Sequence, residues 1–181
     1  LQGGAGVQLV PGAEKYVSAS LKRQPYDHNA RPSPTGTGGL LRSIFAMNMK
    51  IGTRTFDVSH DCSIMGILNV TPDSFSDGGQ WNNLDAALRH TGDMIQQGAG
   101  IVDVGGESTR PGHVQISVQE EIDRVVPVIE AIKKNFDIPV SIDSYKSPVV
   151  EAALKAGADL VNDVWGLKYD RKVADLIAQY K

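Results

Sequence analysis

The chain has 181 residues, 41% of them apolar and 22% charged, with a net charge of −3. That is enough chain for a core of ordinary size, and so mild a charge argues against a nucleic-acid or anionic-membrane surface. No apolar run reaches the length of a membrane span.

The single cysteine, Cys62, excludes an internal disulfide, suits a reducing cytoplasmic compartment, and is expected as a buried structural thiol. His28, His60, His90 and His113 lack the spacing of zinc ligands. The chain opens on Leu1 and stops at Lys181 within an amphipathic run, so both ends read as cuts. No basic stretch followed by an apolar one marks a signal peptide.

Residues 1–46 form an upstream segment, flexible or unrelated to the rest of the chain. Arg31-Pro32-Ser33-Pro34-Thr35-Gly36-Thr37-Gly38-Gly39 has the composition of a linker. It is no phosphate loop, since no strand precedes it and no Lys-Ser/Thr pair comes after it.

The folded unit spans 47–181. Residues 50–58 predict a hairpin about Gly52-Thr53 that covers one end of the core. Residues 64–68 predict a fully buried strand. Asn82 or Asn83 then caps a helix with Leu84, Ala87, Leu88, Met94 and Ile95 on one face, stopped by Gly98. Residues 101–104 are a second buried strand. Ser117 and Glu120 have capping-box spacing and open a helix with Val118, Ile122, Val125, Ile129 and Ile132 along one side, bent at Pro127.

The pattern then repeats. Val140-Ser141-Ile142 is a strand ending at Asp143; Ser147, followed by Pro148, caps a helix that Gly157 stops. Leu160-Val161 is a strand ending at Asn162 and Asp163, and Asp170 starts a last helix with Val173, Leu176 and Ile177 facing inward. Apolar strands alternating with helices imply a parallel α/β sheet. Gly105-Gly106 leads into a long polar loop rather than straight into a helix, which disfavours the dinucleotide-binding fold and favours a (β/α)8 TIM barrel. A full barrel needs roughly 250 residues, so the expectation is an incomplete barrel of about four β/α units plus an N-terminal hairpin. Its open apolar edges are expected to make it unstable alone.

The chemistry gathers where these strands end. Asn69, the loop from Asp103 to Arg110, Asp143 and Asn162 are all delivered to one rim. Asp143 and Asn162 each follow an apolar run, where an unpaired polar group costs about 1–3 kcal/mol. They either satisfy backbone and cap the following helices or line a site for an amino-bearing nitrogen heterocycle; their recurrence on successive strands favours the site. Asn69 offers a carbonyl oxygen suited to Mg²⁺, or is a turn asparagine. Thr109 and Arg110, beside Ser108 and held by Pro111 and Gly112, offer a hydroxyl and a forked cation to phosphate oxygens. Phe75 is a lid or a loop anchor. Asp77 stabilises a developing cation or, the safer reading, caps a turn.

Two motifs carry a resemblance. Asn69-Val70-Thr71-Pro72-Asp73-Ser74-Phe75-Ser76-Asp77-Gly78-Gly79 and Gly105-Gly106-Glu107-Ser108-Thr109-Arg110-Pro111-Gly112, followed by Ser141-Ile142-Asp143 and Val161-Asn162-Asp163, resemble the dihydropteroate synthase family of folate biosynthesis from residue 49 to 181. The resemblance implies a transferase that joins 6-hydroxymethyl-7,8-dihydropterin diphosphate to 4-aminobenzoate and releases diphosphate. It implies that Asn69 holds Mg²⁺, that Thr109 and Ser108 contact the diphosphate-bearing substrate, and that Asp143 and Asn162 read the pterin. Phe75 and Pro111 then frame the aminobenzoate pocket that sulfonamides imitate, with Asp77 and Arg110 as catalytic residues. It also implies small-molecule partners only, a homodimer for the parent enzyme, and no activity for this half alone, because the family's later strands carry the diphosphate cradle. The rival readings are a pterin-binding methyltransferase domain, disfavoured by the Asn69 loop, and a non-catalytic pterin-binding remnant.

Overall fold

A computed structural model describes residues 48–59, 61–71, 79–108 and 114–180, the side chains of 79–83 excepted. The expected upstream segment lies outside these residues. Strands β1 (Asn48–Ile51) and β2 (Arg54–Asp57) form the expected hairpin, Ile51 paired with Arg54 across Gly52-Thr53. It packs at the end where the parallel strands begin: a Cβ on Gly52 would lie 2.5 Å from Asp159 Oδ1, and one on Gly100 would lie 3.3 Å from Phe56. The hairpin therefore covers the end opposite the strand termini that carry the polar residues.

Four β/α units come next. Strand β3 (Ile64–Asn69) precedes α1 (Gly79–Gln97), and β4 (Ala99–Gly105) precedes α2 (Val118–Asn135). Strand β5 (Val140–Asp143) precedes α3 (Ser147–Lys155), and β6 (Leu160–Asn162) precedes α4 (Lys172–Gln179). All neighbouring pairs are parallel, in the order β3-β4-β5-β6. Chain order equals spatial order, so the crossovers all keep one hand and lay their helices on one face. A doubly wound sheet would reverse its order part-way; this one is a portion of a (β/α)8 barrel.

The core lies between that face and the helices. Leu68, Val102, Val104, Val140 and Ile142 of the sheet meet Ala87 and Leu88 of α1, Val125, Ile129 and Ile132 of α2, and Val149 and Ala153 of α3. Each large aliphatic side chain so buried contributes about 1.5–3 kcal/mol. Gly98 and Gly157 take φ of 108° and 107° after α1 and α3, a left-handed turn that ends a helix where a side chain would clash.

Several local expectations need correction. Helix α1 begins at Gly79 rather than Asn82 or Asn83, because Gly79-Gln80-Trp81-Asn82-Asn83 carries no recurring apolar stripe to mark its first turn. Val118 is exposed at the start of α2. Its Ser117 cap holds, the hydroxyl accepting from the Glu120 N–H at 3.2 Å, and the helix runs on through Pro127. Ser147 is the first residue of α3 rather than its cap; its N–H is held by Asp170 Oδ2 at 3.1 Å, so the cap comes from another element. Cys62 is exposed, within the exposed stretch 61–63 that leads into β3.

The strand expected to be fully buried is not. Leu68 is 1% exposed, but Ile67 beside it is 63% exposed. Successive strand side chains point to opposite faces, and among the described residues only one face of β3 has helices on it.

Candidate functional site

The pairing register brings the strand-end residues into one row. Asn69 lies opposite Gly105, Gly105 opposite Asp143, and Asp143 opposite Asn162. The ladder continues past the row: Val70 N–H donates to Gly105 O at 2.8 Å and Ser144 N–H to Asn162 O at 3.1 Å. The row is therefore built on paired backbone rather than on loops. A Cβ placed on Gly105 would stand 3.5 Å from Asn69 Oδ1 and 3.6 Å from Asp143 Oδ2. Those two oxygens converge from flanking strands over a bare glycine, which leaves a recess between them.

One pleat lower, Ile67, Asp103, Ser141 and Leu160 form a second row on the same face. Asp103 is 4% exposed and Ser141 fully buried. Asn162 Nδ2 donates to Asp103 Oδ2 at 3.0 Å, joining the two rows and fixing which way the carboxamide faces. The other carboxylate oxygen of Asp103 and the Ser141 hydroxyl are buried with no hydrogen-bond partner among the described residues. Buried polar atoms are nearly always satisfied, so these two leave unused hydrogen-bonding capacity on the rim face of the sheet.

The carboxyl group of Asp143 titrates high, at about 6. Burial is the first cause, and the negative charges of Asp103, Glu121 and Asp163 add to it. The rim is thus rich in carboxylates and short of cations among the described residues, a setting that favours ligands bearing N–H donors or positive charge. Asp163 is occupied locally: its two oxygens accept the N–H groups of Trp165 at 2.8 Å and Leu167 at 2.7 Å.

Of the residues singled out in the sequence, Asn69, Asp143 and Asn162 share the row, and Ser108 sits half-buried just past the end of β4. Phe75, Asp77, Thr109, Arg110 and Pro111 lie outside the described residues. Asp103, inside the expected strand 101–104 but given no role of its own there, lies within β4 on the rim face; its signal in the sequence is a lone charge within Ile101-Val102-Asp103-Val104. No group of three or more His, Cys, Asp or Glu side chains forms a metal cluster among the described residues. The oxygen donors Asn69 and Asp143 about the recess do fit a hard cation that keeps most of its water.

Residues 65–181 match the model of a protein family described as pterin binding enzyme. The chain belongs to the pterin binding enzyme family. A curated relative, dihydropteroate synthase of Clostridium beijerinckii, is 58% identical over 132 residues, covering 73% of this chain and 49% of its own. The solved dihydropteroate synthase of Clostridium difficile, in the presence of pteroic acid, superposes with a TM-score of 0.67 at 58% identity, over 69% of this chain and 48% of that one. That of Xanthomonas albilineans with 4-aminobenzoic acid superposes at 0.66 and 41% identity, over 73% and 48%. This pterin binding enzyme chain thus spans about half the length of the curated relatives it matches. No helix among its described residues is long and apolar enough to cross a membrane.

Proposed function

We propose that this pterin binding enzyme is, as a whole protein, a dihydropteroate synthase that joins 6-hydroxymethyl-7,8-dihydropterin diphosphate to 4-aminobenzoate. The observation that carries the reading is the row Asn69–Gly105–Asp143–Asn162 above the unsatisfied Asp103 oxygen, at the strand ends where barrels bind ligands. A pterin presents ring nitrogens and an amino group along one edge, and carboxylates beside a carboxamide are complementary to such an edge. In this reading Asp143, Asn162 and Asp103 hold the ring, and Ser108 and Thr109 contact the diphosphate-bearing arm. Phe75, Pro111 and Arg110 frame the aminobenzoate.

The bond from the pterin methylene to diphosphate oxygen breaks, the electron pair leaving on oxygen. The arylamine lone pair then forms the new carbon–nitrogen bond, and the resulting ammonium gives up a proton. Asp103, Asp143 and Asp77 stabilise the positive charge that develops on the pterin methylene, and Arg110 the charge that departs. Asn69 would hold Mg²⁺, which when bound neutralises the leaving diphosphate. The partners are small molecules, the setting cytoplasmic, and the whole enzyme a homodimer; the mild net charge and single thiol support the first two of these.

The test is diphosphate release by the whole protein. Release that requires 4-aminobenzoate, and falls about 100-fold in Asn162→Ala, supports the reading. Release indifferent to the arylamine, or transfer of a methyl group from a methylated pterin instead, overturns it.

A further inference from the structure

Glu107, Glu121, Tyr145 and Lys146 form a buried polar cluster outside the rim row. Lys146 and Glu107 are each 6% exposed and Glu121 1%. Lys146 Nζ donates to Glu107 Oε2 at 2.7 Å and forms an ion pair with Glu121 Oε2 at 2.8 Å. Burial works against the charge on Glu107, but the hydrogen bonds from Lys146, Tyr145 and the Ile116 N–H prevail and hold its carboxyl below the ordinary value. Burial likewise opposes the charge on Lys146, and its two carboxylate partners keep it raised. Both stay ionised at neutral pH.

What the cluster joins is more telling than its charge. Glu107 stands at the start of the connection between β4 and α2, and Ile116 near its end. Glu107 Oε2 accepts the Ile116 N–H at 3.0 Å, and Lys146 Nζ donates to the Ile116 carbonyl at 2.9 Å. Both backbone polar atoms of Ile116 are thus held by two side chains that are paired with each other. The Tyr145 hydroxyl donates to Glu107 Oε1 at 2.7 Å and accepts from Gln115 Nε2 at 3.0 Å. Tyr145 and Lys146 belong to the short turn between Asp143 and α3. The two feet of the first connection are pinned to that turn.

A buried ion pair is a poor source of net stability, since apolar residues of similar volume do as well. We propose that Lys146 and Glu107 are positioning residues that pinch the feet of the connection bearing Ser108, Thr109 and Arg110 and fix them against the strand bearing Asp143. This deepens the dihydropteroate synthase reading and rests on it: the pair sets the arylamine side of the site relative to the pterin side.

The experiment uses the whole protein with Lys146→Met and, as an isosteric variant that keeps a neutral acceptor, Glu107→Gln. Hydrogen exchange is followed at the Ile116 amide and in strand β5, alongside the KM for 4-aminobenzoate and the calorimetric affinity for 6-hydroxymethylpterin. Ile116 exchange at least about tenfold faster, with β5 unchanged, is expected together with an aminobenzoate KM raised about tenfold and pterin affinity within about twofold of wild type. Glu107→Gln is expected to move the same quantities in the same direction by less, and it decides the matter should Lys146→Met fail to fold. Unchanged Ile116 exchange in an active protein overturns the clamp. So does faster exchange without a change in KM, or an equal loss of affinity for both substrates, which is what a merely structural cluster would give. A wild type lacking arylamine-dependent diphosphate release overturns the functional reading, and the positioning role with it.

Discussion

Asp143 shows how one residue can trade stability for binding. Its ordinary value of 3.8 rises to about 6 in the fold, from burial first and then from Asp103, Glu121 and Asp163. A raised carboxyl favours the protonated form in the folded state, so its contribution to stability is full below about pH 4 and is lost as the pH climbs through about 6. Asp143→Asn removes that loss. The variant's Tm relative to wild type is expected to be higher at pH 8 than at pH 4, by differential scanning calorimetry. The ionised carboxylate, however, is the stronger acceptor for pterin N–H groups. Wild-type affinity for 6-hydroxymethylpterin is therefore expected to strengthen from pH 5 to pH 7, and Asp143→Asn to weaken binding at pH 7 by about 10–150-fold and flatten the pH dependence. A variant that binds pterin as tightly as wild type at pH 7 would remove Asp143 from the site. Asn69, Asp143 and Asn162 were legible because each is polar where an apolar run stops. The Glu107–Lys146–Glu121 cluster was not, because its members come from three segments and each alone looks like a solvated charge.

At the scale of elements, the same chemistry depends on how closely α2 approaches the end of β4. Gly106 is the contact point: a Cβ there would lie 2.8 Å from Val125 Cγ1 and 3.0 Å from Glu121 Cγ. Val125 is fully buried and Glu121 is held by Lys146, so neither side chain can yield at little cost. Gly106→Ala is expected to lose about 1–3 kcal/mol in urea denaturation, the usual penalty of overpacking. Because the strain falls on Glu121, Ile116 exchange should also quicken. Gly66→Ala is the informative control: its Cβ would meet Met94 Sδ at 2.7 Å, the far end of a flexible side chain that can rotate away. Equal losses at the two glycines would argue against a tight α2–β4 contact. The sequence marked the order of these elements well, since glycines and apolar stripes punctuate it. It misplaced starts that depend on distant groups, as at Ser147, whose N–H is held by an aspartate 23 residues on.

For the whole molecule the decisive feature is that the sheet has two unlike faces. One is sealed by α1, α2 and α3; the other carries Asp103, Asp143 and the rim, together with Met65 and Ile67, 36% and 63% exposed. An apolar run such as residues 64–68 reads the same whether one face is covered or two, which is why the sequence could not show the difference. Adjacent residues of β3 measure it directly. Leu68, 1% exposed among Ala87, Leu88 and Val104, is expected to cost about 2–5 kcal/mol on replacement by alanine, as buried leucines do. Ile67→Ala, one residue earlier and on the other face, is expected to stay within about 0.5 kcal/mol, as exposed substitutions do. Urea denaturation of the chain and its two variants, with unchanged m-values, makes the comparison. A cost at Ile67 comparable to that at Leu68 would mean that the inner face is packed in solution. The rim residues would then open into a closed interior rather than a recess that a ligand can reach.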